Sequence, residues 1–449
     1  YLTEEKGSYN VHKMPAAGGA STQVSRFTDH PVRYLTISDG GVLCFSYRGE
    51  LYTMTDGSEP KKVAIRINTD GRYLPERTIN VNNADEYEVS NNGKEAVFVH
   101  RGEVFVTSVA EGTTRRITNT PEQERSASFS PDGRTILYAT ERNGSWDLYT
   151  TSLTRKEEKY FFNATVLKEE ALLNTPAEEF QCAYSPDGKE VAYLEERTTL
   201  KVLNLASKQT RTIVPGNKNY SYADGDQSYD WSPDSKWFAV TFLHDEQWIN
   251  QVGIVSAEGG KEIIDLTKSG YGGGGPRWAM DGQAIIYFSD RDGMKNHASW
   301  GGQADAYAIF LTQEAYDKYK MTKEEAALAK EDEDKKKEGD DKKDGDAKDK
   351  KKEDDKKKEE EKDKKVEPIR IELAGIEDRK VRLTPNSSDL SGAVLSKDGE
   401  KVYYLAHFEK GYDLWQFEVR TRETKILNKM GDGFASGLSQ RLDPSVILV

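Results

Sequence analysis

The chain has 449 residues and a formal net charge of −13 at pH 7. A negative charge of this size argues against general binding to nucleic acid or to an anionic membrane surface. No apolar stretch reaches the length of about 20 residues that a membrane-spanning helix requires.

The first part of the chain contains short apolar runs that predict β-strands. They fit the end of one repeated unit of strands and most of a second unit. Residues 7–14 fit a third strand, and Val42–Phe45 and Gly49–Tyr52 fit strands of the next repeat. From 68 to 85 the sequence is loose and rich in asparagine, which is typical of a linker. We therefore expect one domain to end near residue 75 and the next to begin near residue 80.

Further along, a Ser-Pro-Asp-Gly tetrad or a weakened form of it recurs. Its members are Ser130–Gly133, Ser185–Gly188, Ser232–Ser235, Met280–Gly282 and Ser396–Gly399. Serine first, proline second and glycine last are the residues that a tight type I turn favours. Successive tetrads are about 50 residues apart, except for one interval that is more than twice as long. Such a period indicates a repeat architecture.

Each tetrad stands between short apolar runs that predict strands. Thr135–Thr140 and Val402–Ala406 follow a tetrad directly, and a third run opens with an acid, as at Asp147 and Asp413. A fourth run closes on Leu-Thr or a near variant, as at Ile117–Thr118. Four antiparallel strands per module, repeated, are the pattern of a β-propeller. Separate hairpins are the alternative, but these are only marginally stable in water.

The predicted fold class is therefore all-β. We expect blades near residues 86–120, 122–176, 178–215, 226–268, 271–385 and 388–428, and the start of one more blade from residue 431 onward. Because both ends of the chain fall within a blade, and an incomplete ring exposes strand edges, we expect the chain to be a piece of a longer protein.

An insertion within one blade explains the long interval. Nearly every residue from 331 to 365 is charged, so this segment cannot join a core and should be disordered or transiently helical. Upstream, Thr322 and Glu325 have the spacing of a capping box. The insertion, 312–366, separates a third strand at Asp305–Leu311 from a fourth at Lys380–Thr384. We interpret it as a tolerated surface insertion, with a partner-binding role as the alternative.

Three segments resemble the propeller region of tricorn-type serine peptidases. They are Arg101–Val106 with Arg115–Thr118, Ser289–Met294 with His297–Gly301, and Phe408–Trp415. The tetrad repeats are also similar to those of TolB-like proteins. The resemblance implies the last blades of a first propeller over residues 1–75. It also implies most of a seven-bladed ring over 80–449, truncated in its last blade.

The same resemblance implies a function. The chain would be a non-catalytic part of a serine peptidase that gates or guides peptides or unfolded polypeptide to a catalytic domain missing from this chain. The full-length protein would contain further domains, form a hexamer and work in the cytoplasm, or in the periplasm if a signal peptide precedes residue 1. Two alternatives stay open: a TolB-like scaffold that binds proteins, and an oligopeptidase of the prolyl type.

We expect no catalytic, cofactor-binding or metal-binding residue in the chain. It contains no Gly-x-Ser-x-Gly elbow, no His-Glu-x-x-His and no Walker loop. The candidates for a substrate channel are Arg115, Arg116, Arg277, His297 and Trp300. The arginines could attract peptide carboxylates or could lie in solvent, whereas His297 and Trp300 lie on a loop long enough to reach the face of the ring. Gly272–Gly275 lacks the lysine and the helix of a phosphate-binding loop and predicts a turn.

Overall fold

The computed structural model describes residues 1–5, 7–66, 80–81, 84–221, 225–244, 248–295, 302–341, 367–408 and 411–430. The chain divides into two compact units, Tyr1–Asn80 and Val81–Val449. Most of the predicted linker and the predicted blade start from residue 431 lie outside the described residues. Within the described part of the chain, no helix is both long enough and apolar enough to cross a membrane.

The first unit contains two antiparallel sheets. One has three strands, β1 (Leu2–Thr3), β2 (Asn10–Lys13) and β3 (Thr22–Gln23), in that order. The other has four, β4 (Arg33–Ile37), β5 (Leu43–Tyr47), β6 (Glu50–Met54) and β7 (Lys61–Lys62). Val11 of the first sheet belongs to the same buried cluster as Phe45 and Met54 of the second. The two sheets therefore share one core.

The second unit contains six described four-stranded sheets, each formed by strands that follow one another in the chain. We number them blades 1 to 6. Blade 1 contains β8 (Glu86–Val89), β9 (Glu95–His100), β10 (Glu103–Ser108) and β11 (Thr114–Arg116). Blade 2 contains β12 (Glu124–Phe129), β13 (Thr135–Thr140), β14 (Asp147–Leu153) and β15 (Leu167–Leu173). Blade 3 contains β16 (Glu179–Tyr184), β17 (Glu190–Glu195), β18 (Thr199–Asn204) and β19 (Thr210–Val214).

The remaining three blades follow the same order. Blade 4 contains β20 (Tyr229–Trp231), β21 (Trp237–Leu243), β22 (Asn250–Ser256) and β23 (Ile264–Asp265). Blade 5 contains β24 (Gly273–Ala279), β25 (Ala284–Ser289), β26 (Asp305–Phe310) and β27 (Lys380–Arg382). Blade 6 contains β28 (Asp389–Leu395), β29 (Lys401–His407), β30 (Tyr412–Glu418) and β31 (Thr424–Lys429).

Consecutive blades pack against each other through apolar side chains. Val97 of blade 1 and Phe129 of blade 2 belong to one buried cluster. Other clusters join blades 2, 3 and 4, blades 4 and 5, and blades 5 and 6. Each sheet is thus covered by its neighbours in the chain, as in a propeller. The predicted all-β propeller is confirmed.

Neighbouring first strands bond to each other and so define the axis. Ser126 N donates to Glu86 Oε2 at 2.5 Å, and Trp278 N donates to Asp230 Oδ2 at 2.8 Å. Fourth strands lie at the opposite edge of each sheet. Because strands within a blade are antiparallel, the tetrad turns and the connections from third to fourth strands lie at one end, the tetrad end. The connections from second to third strands and from blade to blade lie at the other end, which we call the inter-blade end.

The tetrads form the turns that the sequence predicts. Gly133 N donates to Ser130 O at 2.8 Å, and Gly133 has a φ of 68°, in the left-handed region that favours glycine. Ser130 Oγ donates to Asp132 Oδ1 at 2.6 Å and accepts from Thr135 N at 2.9 Å. The serine makes the same two contacts in the tetrads that begin at Ser185, Ser232 and Ser396.

One predicted tetrad differs, and one more exists that the sequence pattern does not reveal. At Met280–Gly282, Asp281 and Gly282 have φ values of 53° and 88°, and Gln283 N donates to Met280 O, as in a type I′ turn. Conversely, Ser90–Gly93 makes the tetrad network although its sequence is Ser-Asn-Asn-Gly. Asn92 Oδ1 there takes the place of the aspartate oxygen and accepts from Ser90 Oγ at 2.9 Å.

The insertion begins with two helices, α1 (Gln313–Lys320) and α2 (Lys323–Asp341). The predicted capping box is confirmed, because Thr322 N donates to Glu325 Oε2 at 2.8 Å and Glu325 N donates to Thr322 Oγ1 at 3.3 Å. Ala315 and Tyr319 of α1 are buried in the cluster that joins blades 5 and 6. The insertion therefore begins as a packed element, while the charged residues 342–366 lie outside the described part of the chain.

The prediction of a turn at Gly272–Gly275 is wrong for the last three residues, which begin β24. Gly273 pairs with Ser289 and Gly274 with Phe288. Small residues suit this strand because a Cβ at Gly275 would lie 3.0 Å from the Phe288 ring, and Gly275 also has a φ of 61°.

Candidate functional site

The described residues line a partly open cavity of about 290 Å³ near the inter-blade end of the axis. Its walls come mainly from the first strands of blades 1, 2 and 3, close to where those strands begin, and from the connection into blade 4. The lining residues are Glu86, Arg125, Ser126, Ala139, Phe180, Gln181 and Gly225. Because neighbouring first strands meet here, the cavity lies where the opening of a propeller ring is expected.

A β-bulge shapes each of two walls of this cavity. The register of β12 against β13 shifts between Arg125 and Ser128, and that of β16 against β17 shifts between Phe180 and Ala183. Within the bulges Ser126 has a φ of 54° and Gln181 a φ of 48°, which is uncommon for residues other than glycine. The bulges turn backbone groups away from their own sheet. Ser126 N consequently bonds to Glu86 of the preceding blade.

Charged groups around the cavity are held by aromatic and polar partners. The Arg125 guanidinium lies 4.8 Å from the Trp146 ring centroid, and its Nη2 donates to Gln123 Oε1 at 3.3 Å. The Arg197 guanidinium lies 4.2 Å from the centroid of Phe180, which lines the cavity. Such cation–π contacts fix the direction of a guanidinium. The walls thus combine a carboxylate, a guanidinium, a hydroxyl and an amide, which together can donate to and accept from an extended backbone.

The amide of Gln181 connects the cavity to the next blade. Gln181 Nε2 donates to Gln227 O at 2.9 Å, and Gly225 N donates to Gln181 Oε1 at 3.1 Å. Gln227 Nε2 in turn donates to Tyr220 O at 2.7 Å. These bonds tie the connection between blades 3 and 4 to the cavity wall.

The three predicted channel residues that the structure describes, Arg115, Arg116 and Arg277, are not brought together. Arg277 lies on β24, the first strand of blade 5, and is exposed. Arg115 and Arg116 lie on β11, a fourth strand, where Arg116 pairs with Glu103 and donates to Thr118 O at 2.7 Å. His297 and Trp300 lie outside the described residues. The channel role of all five residues stays a prediction. Of the three that the structure describes, Arg277 is the one that lies on a first strand.

Among the described residues, the closest approach to a catalytic triad has the wrong geometry. His12 Nδ1 lies 2.9 Å from Ser21 Oγ and 3.8 Å from Glu5 Oε2. A triad requires the serine and the carboxylate on opposite nitrogens of the imidazole, whereas both approach the same nitrogen here. In the same described part of the chain, no group of three or more His, Cys, Asp or Glu side chains could hold a metal ion.

The cavity residues were missed by the sequence analysis although a signal for two of them exists. Ser126 and Gln181 each stand four positions before the serine of a tetrad. Counting back from these two tetrads therefore leads to the bulges of β12 and β16. Glu86 has no such signal, because the turn after its strand, Ser90–Gly93, lacks the proline and the aspartate of the repeat.

No family model matches the chain. Two curated relatives, each 23% identical to it, are a tricorn-like protease C-terminal subunit of Sulfurisphaera tokodaii, over 293 residues, and a tricorn protease homolog of Saccharolobus solfataricus, over 302 residues. Each match covers 65% of this chain, but 31% of the first relative and 25% of the second. The chain thus spans about a third or less of the length of these relatives.

Among solved structures, the crystal structure of the tricorn protease matches 95% of this chain and 38% of its own chain. The TM-score is 0.53 and the sequence identity is 14%, so this likeness concerns the fold alone. The sequence matches and the shared fold agree with the resemblance that the motifs predict. The chain is similar to the β-propeller region of tricorn-type proteases.

Proposed function

We propose that this chain is a non-catalytic propeller portion of a tricorn-like serine peptidase and that it gates or guides peptides or unfolded polypeptide. Residues 1–75 would end a first propeller, and residues 80–449 would form most of a second. The catalytic residues would belong to other domains of the full-length protein, which we expect to form a hexamer in the cytoplasm. The names of the two relatives, both proteases, support this assignment.

The observation that carries the proposal is the cavity between the first strands of blades 1 to 3. At about 290 Å³ it is at the lower limit of the roughly 300–1,000 Å³ typical of ligand sites. A space of this size suits a short stretch of extended chain and excludes a folded domain. Its polar walls, with Ser126 and Gln181 on bulged backbone, offer hydrogen bonds to peptide groups of any sequence.

A binding measurement tests the proposal. A fluorescent, unstructured peptide is titrated with the chain, and anisotropy is recorded. Ser126→Asn should weaken binding about tenfold, because asparagine tolerates the left-handed backbone while adding volume to the cavity. Lys208→Asn is the matched control: Lys208 also has a positive φ, 59°, but is exposed in a turn at the tetrad end. Equal binding by the wild type and Ser126→Asn would refute the assignment of the cavity.

A second measurement addresses catalysis. The purified chain should not hydrolyse fluorogenic peptides, because we place the nucleophile and its base in other domains. Clear turnover by homogeneous protein would contradict that placement. Binding of folded proteins in preference to peptides would instead favour the scaffold function of a TolB-like propeller.

A further inference from the structure

Two exposed aromatic side chains lie next to each other at the inter-blade end. Trp248 is 78% exposed and Tyr220 is 41% exposed. Their ring centroids are 4.9 Å apart with an interplanar angle of 78°, an edge-to-face pair. Exposed tryptophan at this level is costly in water, and exposed apolar surface of this kind often marks an interaction site.

The topology places this pair at the same end as the cavity. Tyr220 lies on the connection from blade 3 to blade 4, and Trp248 lies between the second and third strands of blade 4. Both kinds of connection belong to the inter-blade end, where the first strands also begin. The two bonds from Gln181 to Gln227 and from Gln227 to Tyr220 O link the cavity wall directly to the aromatic pair.

We propose that Tyr220 and Trp248 form an aromatic clasp that binds the aromatic side chains of an extended peptide as the peptide enters the cavity. This inference rests on the proposed function and adds a substrate class to it. The clasp would favour peptides that expose phenylalanine, tyrosine or tryptophan, which are the residues that unfolded or partly degraded proteins expose and folded proteins bury.

The continuity between clasp and cavity supports a peptide as the occupant. The cavity walls can form hydrogen bonds with any peptide backbone but distinguish little among side chains. The clasp, in contrast, offers aromatic ring surface to side chains and no hydrogen bonds to a peptide backbone. One extended chain can use both, since the bonded path between them runs through only two residues, Gln181 and Gln227. A folded partner could reach the clasp but not the cavity.

The exposed ring of Tyr271 differs from that of Trp248 because charged side chains of the same chain contact it. Tyr271, on the connection from blade 4 to blade 5, is 42% exposed, and Lys295 Nζ lies 4.7 Å from its ring centroid. Arg291 also approaches this ring, at 5.8 Å. The face of Tyr271 is thus already engaged by cations of its own chain. Trp248 keeps most of its surface in solvent and is the residue on which the proposal depends.

The test compares two labelled peptides that differ only by phenylalanine or alanine at one position. The wild-type chain should bind the phenylalanine peptide about tenfold more tightly, and Trp248→Ala should abolish that preference while binding of the alanine peptide stays unchanged. Trp248→Phe should keep most of the preference. Tyr9→Ala, which removes a 43% exposed tyrosine from the first unit, is the control and should change neither affinity.

Three other outcomes would overturn the inference, and they separate a failure of the clasp from a failure of the proposed function. Equal affinity of the wild type for both peptides would remove the clasp but leave peptide binding by the cavity intact. Binding of neither peptide would remove both the clasp and the proposed function. If the wild type instead formed a dimer that Trp248→Ala dissociated in sedimentation, a second copy of the chain would be the occupant and the peptide proposal would be wrong.

Discussion

Thr175 Oγ1 donates a hydrogen bond to Glu179 Oε1 at 2.6 Å, at the junction between blades 2 and 3. Thr175 N also donates to Asp147 Oδ1 at 3.2 Å, so one threonine holds two carboxylates. Both carboxylates are almost completely buried, Asp147 at 1% and Glu179 at 0% exposure. Among the described residues, Asp147 Oδ2 and Glu179 Oε2 have no hydrogen-bond partner.

This junction should make stability depend on pH. Burial raises the pKa of Glu179 from 4.5 to about 7, helped by the nearby charges of Asp147 and Glu195 and opposed by the hydrogen bond from Thr175 and, less strongly, by Lys201. Between these two values the folded chain binds more protons than the unfolded chain. The free energy of unfolding therefore falls as the pH rises from about 4.5 to about 7.

Glu179→Gln should remove the part of this dependence that Glu179 contributes. The amide oxygen can still accept from Thr175, and the side chain stays neutral at every pH. We expect the variant to be more stable than the wild type by about 1–3 kcal/mol at pH 8 and equally stable at pH 4, as measured by urea unfolding. Glu170→Gln, at an exposed position of β15, should change stability by less than about 0.5 kcal/mol. Equal changes in stability between pH 4 and pH 8 in the wild type and in Glu179→Gln would show that Glu179 is ionised at little cost.

The tetrad network should be a main source of stability for the blades that contain it. Ser185 is 0% exposed, donates to Asp187 Oδ1 at 2.7 Å and accepts from Glu190 N at 3.0 Å. Ser185→Ala leaves the N–H of half-buried Glu190 without its acceptor, so we expect a loss of about 1–3 kcal/mol in urea unfolding. Ser207→Ala, in an exposed turn, should cost less than about 0.5 kcal/mol. Similar losses in the two variants would mean that the turn network contributes little.

Arg420 should control the packing of the insertion. Its side chain is 9% exposed, pairs with Glu400 at 2.9 Å and donates to the carbonyl oxygens of Lys318 and Tyr319 at the end of α1. Arg420→Met should therefore release α1 from blade 6. We expect trypsin to cleave within residues 313–341 several-fold faster in this variant than in the wild type. Arg422→Met, at an exposed position two residues away, serves as the control. Equal cleavage rates in Arg420→Met and the wild type would show that α1 is held by apolar packing alone.

Much of the fold could be predicted because each blade repeats the same local chemistry. The run Thr135–Thr140 coincides with β13, and the acid predicted to open a third strand stands first in β14 and in β26 but second in β30, which begins at Tyr412. These predictions rest on turn residues and apolar runs that lie next to each other in the sequence. The glycines of β24 misled the analysis, because Gly275 reflects the Phe288 ring beside it and a positive φ within a strand rather than a turn between strands.

The candidate site could not be predicted in the same way, because it depends on contacts between blades. Glu86 and Ser126 are 40 residues apart in the chain, and their bond forms only when two first strands meet at the axis. Arg115 and Arg116 were chosen for their charge, although the Ile117–Thr118 ending already predicts that they lie on a fourth strand, at the edge of the sheet opposite the first strand. The bulge positions Ser126 and Gln181 are visible in the sequence only once the tetrad is known to end a first strand.

Photo-crosslinking tests the central claim most directly. A peptide with a benzophenone side chain is irradiated with the chain, and the modified residues are mapped by mass spectrometry. We predict modification within residues 84–89, 124–129, 179–184 and around 225, and we predict that Ser126→Asn reduces it. Modification confined to the tetrad end, or equal modification of the wild type and Ser126→Asn, would contradict the account.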